Sequence, residues 1–271
     1  MKDVCVVTGG GSGMGLSTAK VMGADHYIVL VGRTVSKLET ALKELHDLGI
    51  EGESYSCDVS NRDSVKALVA HAASLGAVKA VIHAAGMSPN MGKGEVIFDV
   101  NAMGTIYTNE EFVKVMPEGS CILNVSSMSA YMLPADKVPT PLYQLSLSDA
   151  ESFKTQMLAV IANVPGEMNS GMAYTMSKNF VTWYSEKAAC LHGSKGIRIL
   201  SVSPGTFKTP MGEVEGEQAA SFALAGALGR MGEPEEIAEL MAFLAGKKGS
   251  YMTGVDVLCD GGSIAAMRAR T

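Results

Sequence analysis

With 271 residues, 47% of them hydrophobic and 18% charged, the chain has the composition of one large, well-packed domain, and its 30 glycines are spread along the length rather than gathered in a tract. A formal charge of −6 excludes a surface built to neutralise phosphate backbones, so no nucleic-acid partner is expected. No apolar run reaches membrane-spanning length, and Met1-Lys2-Asp3 passes straight into an apolar strand without room for a signal peptide; a cytoplasmic protein with no membrane partner is expected.

Short apolar runs rich in Val and Ile recur at 3–8, 27–32, 53–57, 78–83, 120–126, 197–203 and 255–259, and each has the look of a buried parallel strand. Between them lie stretches of helical period. The clearest are 35–48, with Leu38, Leu42, Leu45 and Leu48, and 62–75, with Val65, Leu68, Val69 and Ala72. Strand and helix therefore alternate. The expected fold is an α/β, doubly wound, Rossmann-type domain spanning 1–271, with a seven-stranded parallel sheet and helices on both faces. Its ligand should lie beyond the carboxyl ends of the strands. The cysteines Cys5, Cys57, Cys121, Cys190 and Cys259 and the five histidines show no metal-ligand spacing, so reduced thiols and no metal are expected.

Directly after the first strand comes Thr8-Gly9-Gly10-Gly11-Ser12-Gly13-Met14-Gly15, leading into a helix expected from Ser17 onward. Glycines allow a tight turn and close backbone approach to a pyrophosphate, while the free N–H groups and positive end of the following helix stabilise the anion. The candidate cofactor contacts here are Gly9, Ser12, Gly13, Met14 and Gly15. The second strand ends at Gly32-Arg33-Thr34, which puts a guanidinium where a carboxylate would hold the ribose hydroxyls of NAD. Its planar fork of donors suits a 2′-phosphate, so NADP is expected in preference to NAD, with NAD still possible. A solvated arginine at a strand end is the competing reading.

Tyr174-Thr175-Met176-Ser177-Lys178 places a phenol and an ammonium four residues apart, on one face of a helix with Cβ atoms about 6 Å apart. With the glycine loop, this pattern resembles the short-chain dehydrogenase/reductase family. The resemblance continues through Cys57-Asp58-Val59 after the third strand, Ala84-Ala85-Gly86 after the fourth, Val100-Asn101-Ala102 within the next helix, Asn124-Val125-Ser126-Ser127 ending the fifth strand and Pro204-Gly205-Thr206-Phe207-Lys208-Thr209-Pro210 after the sixth. It implies hydride transfer between a nicotinamide cofactor and an alcohol or ketone substrate, with Asn101, Ser127, Tyr174 and Lys178 as the catalytic residues. Tyr174 would be the general acid/base, Ser127 would hydrogen-bond the substrate oxygen, and Lys178 would hold the nicotinamide ribose while depressing the tyrosine pKa. Asn101 would anchor a water of the proton relay. Asp58 and the Val59 backbone would hold the adenine, with Ala85 and Gly86 close to the nucleotide. Pro204, Gly205, the Phe207 backbone and Thr209 would line the nicotinamide side. Ser126 and Ser129 are neighbouring alternatives to Ser127, which matches the family position best. A homo-oligomer, dimer or tetramer, is expected.

Two departures bear on substrate. An interval of 47 residues separates Ser127 from Tyr174 (174 − 127), longer than one short loop, which predicts an inserted helical segment at about 130–172. Within it Ser148-Asp149-Ala150-Glu151 resembles a capping box ahead of a helix at about 149–162. That helix could cover the substrate pocket or sit on the helices through which family members associate. The insertion, with Asp260-Gly261-Gly262-Ser263 near the end, resembles the bacterial 3α-hydroxysteroid dehydrogenase/carbonyl reductase branch, so a hydroxysteroid or other bulky apolar substrate is expected. A 3-oxoacyl-thioester reductase and a non-catalytic NADP sensor are the alternatives. Met87, Met128, Met132 and Met211 follow strands four to six, as lining for an apolar ligand or as ordinary core filling. The stretch 212–228 reads either as a mobile helical lid or as a plain connector.

Overall fold

The computed structural model describes residues 2–270. In chain order the strands are β1 (Asp3–Thr8), β2 (His26–Gly32), β3 (Gly52–Ser56), β4 (Val78–His83), β5 (Cys121–Val125), β6 (Arg198–Pro204) and β7 (Asp256–Cys259). The helices are α1 (Gly13–Met22), α2 (Val35–Asp47), α3 (Arg62–Leu75), α4 (Gly94–Phe98), α5 (Gly104–Phe112), α6 (Thr140–Leu145), α7 (Ala150–Ala162), α8 (Gly166–His192), α9 (Pro210–Leu224), α10 (Pro234–Ala245) and α11 (Ser263–Arg268). All seven strands pair in parallel in the order β3-β2-β1-β4-β5-β6-β7. The Rossmann-type sheet expected from the alternation is the one observed, and no helix among the described residues is long and apolar enough to cross a membrane.

Strand alternation divides the core into two. Val6, Val29, Val81, Ile122 and Ile199 point toward α3, α5 and α8, whereas Val7, Leu30, Ile82, Leu123 and Leu200 point toward α1, α2 and α10. Strand order reverses between β1 and β4: the chain first builds outward to β3, then returns to the other side of β1. The loops after these two strands therefore diverge and open a crevice, the usual ligand position in open α/β sheets.

Three local readings need correction. The first helix begins at Gly13 rather than Ser17, so the last glycines of the loop are already its first turn. The cap of α7 is Asp149, whose carboxylate accepts the Ser152 N–H at 3.0 Å, while Ser148 turns its hydroxyl back to the Leu145 carbonyl. Asn101 lies in neither α4 nor α5 but in a five-residue π-helical turn, Asp99–Met103, that joins them.

The helices α6 and α7 of the inserted segment pack on the other helices, while Met132 and Gly171, near the segment's two ends, reach the crevice. Phe153 of α7 is fully buried against Phe98 of α4, Tyr143 of α6 and Phe180 of α8, with ring centroids 5.6, 6.4 and 4.5 Å away. Lys154 pairs with Asp99 at 2.8 Å, and the Tyr107 hydroxyl of α5 donates to Glu151. Tyr143 is buried and donates its hydroxyl to the Met176 carbonyl at 3.1 Å, fixing α6 to α8. The segment is thus held by aromatic packing on one face of α8 and by a polar rim around it.

Candidate active site

The crevice contains two adjoining cavities. The first, about 220 Å³, follows the glycine loop and is lined by Gly9, Ser12, Gly13, Met14, Gly15, Arg33, Asp58, Val59, Ala85, Gly86 and Thr209 among others. The second, about 310 Å³, is lined by Ser127, Tyr174, Lys178, Pro204, Gly205 and Phe207. Met14, Ala84, Gly86, Thr209 and Met211 line both, which makes them one continuous cleft.

The glycine loop fits its position because backbone packs on backbone there. Gly9 has φ +68°, and a Cβ on it would come within 2.8 Å of the Ala84 carbonyl. On Gly15, a Cβ would lie 2.5 Å from the Gly9 oxygen. Thr209 closes the far side: its Cβ is 3.4 Å from where a Cβ of Gly13 would stand, and its hydroxyl caps α9 by accepting the Gly212 N–H. Asp58 accepts both the N–H and the hydroxyl of Ser60 on one oxygen, which orients the carboxylate at the groove's edge. A glycine cradle, a helix N-terminus and this anchored carboxylate suit the pyrophosphate and adenosine of a dinucleotide.

On α8, Tyr174 and Lys178 share one face, with the ammonium 5.9 Å from the centre of the phenol ring. Lys178 is 5% exposed and donates to the Val125 carbonyl at 2.9 Å, while the Ser126 hydroxyl donates to the Lys178 carbonyl at 2.7 Å. Those two bonds fasten this turn of α8 to the end of β5. They also separate the serines: Ser126 is buried and spent on the helix, whereas Ser127 accepts the Ser129 N–H and keeps its own proton to donate into the cavity. Among the described residues the buried Ser129 hydroxyl has no partner.

Asn101 reaches the same place from the π turn. Its amide is committed: the Oδ1 accepts the Met87 N–H at 2.8 Å, and the Nδ2 donates to the Met87 carbonyl and to Ser177. Ser177 in turn donates to the Tyr174 carbonyl at 2.8 Å. A Cβ on Gly86 would lie 3.2 Å from both the Asn101 Oδ1 and the Lys178 Nζ, so these groups meet above that glycine. The Asn101 backbone carbonyl accepts the Thr105 hydroxyl at 2.7 Å.

The reading of the sequence passed over His83 and Lys37. His83 ends β4, 2% exposed, with its Nδ1 3.0 Å from the Thr8 hydroxyl, which also accepts the Ala85 N–H. Burial, and secondarily the Lys178 ammonium, push its pKa down to about 3, so the ring is neutral near pH 7. Nothing in its spacing distinguishes it from an ordinary core histidine. Lys37 lines the groove beside Arg33, and its position one turn beyond that residue was the available signal.

The four methionines all line the second cavity, with Phe207 and Phe222 beside them. Among the described residues Lys178 is the only charged one in that lining. The helix α9 covers one side of it, kinked at Gly216, and the Asn90 amide donates to the Val214 carbonyl across the mouth.

Residues 3–139 match the family model described as short chain dehydrogenase, and residues 155–263 match one described as Enoyl-(Acyl carrier protein) reductase. Residues 140–154, which include α6 and the start of α7, lie between the two matches. The chain is 29% identical to a 3-oxoacyl-[acyl-carrier-protein] reductase of Thermotoga maritima, over 96% of this chain and 97% of that protein. It is 27% identical to the 3-alpha-hydroxysteroid dehydrogenase/carbonyl reductase of Comamonas testosteroni, over 98% of each. A short chain dehydrogenase from Burkholderia cenocepacia, solved in complex with NADP, superposes with a TM-score of 0.76 at 20% identity, covering 96% of this chain and 97% of that one.

Proposed function

The chain belongs to the short-chain dehydrogenase/reductase family, and on that premise we propose that it interconverts a secondary alcohol and a ketone with NADPH as the preferred cofactor, on a bulky, uncharged, apolar substrate such as a hydroxysteroid. The observation that carries this reading is the joint lining of one methionine-rich cavity by Ser127, Tyr174 and Lys178, continuous with the glycine-loop groove.

When bound, the nicotinamide gives up or accepts the hydride. In the reductive direction Tyr174 donates its phenolic proton to the carbonyl oxygen, and Ser127 donates a hydrogen bond to that same oxygen. A free phenol has a pKa near 10, so releasing its proton near pH 7 needs a stabilised phenolate; the Lys178 ammonium on the same helix face supplies an opposite charge. Asn101 positions the site rather than touching the reacting atoms, by clamping the Met87 backbone and, through Ser177, the turn that carries Tyr174.

The cavity's lining supports an uncharged substrate. Among the described residues a carboxylate or phosphate held there would have only Lys178 for a counter-charge, and that ammonium is already engaged by a backbone carbonyl. The name of the Thermotoga relative suggests 3-oxoacyl thioesters as a second class, but among the described residues the lining offers no further cation for a carrier's phosphopantetheine.

Oxidation of NADPH is to be followed with steroid, alicyclic, small carbonyl and 3-oxoacyl-thioester substrates. Bulky apolar ketones should turn over fastest, and the Tyr174→Phe variant should lose about a thousandfold in rate while binding NADPH as the parent does. Binding of NADPH without turnover of any member of the panel would instead make the protein a sensor.

A further inference from the structure

We propose that Gly171 sets the size limit of the substrate, as a bare patch of helix backbone over which the bulkier side of the ketone lies; this deepens the reading above and rests on it. Positions 171, 174, 175 and 178 of α8 follow helical spacing, and all four line the methionine-rich cavity. Gly171 therefore extends the stripe that carries Tyr174 and Lys178 by one turn toward the N-terminal end of the helix. From Lys178 to Gly171 that wall runs about 10 Å, at about 1.5 Å of rise per residue. The reacting oxygen is bound at Tyr174, part way along it. What lies over Gly171 is a substituent of the substrate, not its carbonyl.

Neither the backbone nor the packing asks for glycine at this position. Gly171 is not among the glycines with positive φ, and it stands inside a 27-residue helix, where glycine is the least favourable residue after proline. Gly9 and Gly15 lack a side chain because a Cβ would strike neighbouring backbone, whereas a Cβ on Gly171 would meet nothing within 4 Å beyond its chain neighbours and its own helix. The space in front of it belongs to the cavity. The turn is also fixed in place. The Asn169 amide donates to the Ile161 carbonyl at 2.7 Å and lies where a Cβ of Gly94 would collide with it, and the Ser170 hydroxyl donates to the Gly92 carbonyl at 3.1 Å. A helix weakened where it borders the cavity gains one thing from the missing side chain, and that is room.

The rest of the lining can adapt to a ligand and this part cannot. Met87, Met128, Met132 and Met211 are unbranched and can change rotamer around different shapes. Helix backbone has no such freedom. Because Cα–Cβ bonds tilt toward the N-terminus of a helix, a side chain at 171 would lean toward the end that Ser170 ties to Gly92. It would fill room that a second or third ring of the substrate needs, while a single ring held at Tyr174 stops short of it.

The test is steady-state reduction, by the whole chain with NADPH, of a size series: cyclohexanone, 2-decalone and a steroid 3-ketone. Gly171→Leu should lower kcat/KM for the steroid about a hundredfold more than for cyclohexanone, mostly through KM, with 2-decalone between them. Gly171→Ala should shift the same ratio less and in the same direction while raising the melting temperature by about 2 °C, as removal of a mid-helix glycine does, and so decides the question even if the leucine variant does not fold. Affinity for NADPH, read by titration calorimetry, should match the parent's, because Gly171 is not in the lining of the glycine-loop groove. A uniform loss across the three ketones, or no loss, overturns the size limit and leaves the oxidoreductase reading standing. A parent that reduces cyclohexanone but neither larger ketone overturns the size limit and the bulky-substrate reading together. A parent that reduces none of the three overturns the oxidoreductase reading, and the size limit with it.

Discussion

Helix α8 carries two regions of opposite character on its two sides. Toward the crevice it presents Tyr174, Ser177 and Lys178, buried or half-buried polar groups whose positions are set by hydrogen bonds to β5 and the π turn. Toward the insertion it presents Phe180 and Trp183, which meet Tyr143 with ring centroids at 5.2 and 5.6 Å, while Phe180 also meets Phe153. The crevice spends stability to hold polar atoms in place; the aromatic side has little besides packing to contribute. Mutations should therefore separate cleanly, with chemistry lost on one side and stability lost on the other.

Phe153→Ala is the strongest attempt to break that separation. The side chain is fully buried among three rings, so its removal should cost about 3–5 kcal/mol, read by urea unfolding, while kcat/KM of the folded fraction stays within a few-fold of the parent. Loss of activity in protein that remains folded would mean that the insertion shapes the crevice through α8. The two sides would then be one unit.

His83 tests the crevice side, where stability should depend on pH. Its folded pKa is about 3, against about 6.5 in an unfolded chain. Between those values the unfolded state binds the extra proton, so stability rises with pH across the window and is lost as pH falls from about 6.5 toward about 3. Relative to His83→Asn, which can still bond the Thr8 hydroxyl, the parent should lose about 3 kcal/mol between pH 7 and pH 4. A stability gap that stays constant with pH would show that the imidazole is not the buried neutral group described above.

The two regions also differ in how far the sequence foretold them. Around the crevice, each short motif follows its own strand. A glycine loop after β1, Asp58 after β3, Gly86 after β4 and Ser127 after β5 are brought together by the topology of a parallel sheet, so their order in the chain sufficed to place them. What stayed hidden depends on neighbours distant in sequence. No local signal marks the π turn at Asn101 or the neutral state of His83, because both arise from packing between α5, α8 and β4. In the insertion, α7 was legible from Phe153, Met157 and Ile161 at helical spacing, all of them buried. Helix α6 was not: it is six residues long, has prolines at its start, and is held by Tyr143 docking on α8 more than by any period of its own. Whether the insertion would roof the cavity or lie on the helices was likewise undecidable without Phe98 and Phe180 in view.

The smallest expected effect sharpens the comparison from the insertion's side. Asp149 caps α7 with both oxygens, accepting the Ser152 N–H at 3.0 Å and the Ser152 hydroxyl at 2.6 Å. The Ser152 hydroxyl first, and the Ser152 N–H after it, hold this carboxyl below its usual range. A depressed carboxyl stabilises the folded state above its unfolded pKa, and that contribution is lost as pH falls through the folded value. The pH dependence therefore resembles that of His83 in sign, but it is set in the carboxylate range and not the imidazole range. Because the cap is exposed to water, Asp149→Ala should lower the melting temperature only slightly at neutral pH, and the difference should vanish once the carboxyl is protonated in both states. Asp149→Asn, itself a good cap, should keep most of the parent's stability. A change in kcat/KM for either variant, with the melting temperature unmoved, would show that α7 communicates with the crevice by a route other than stability.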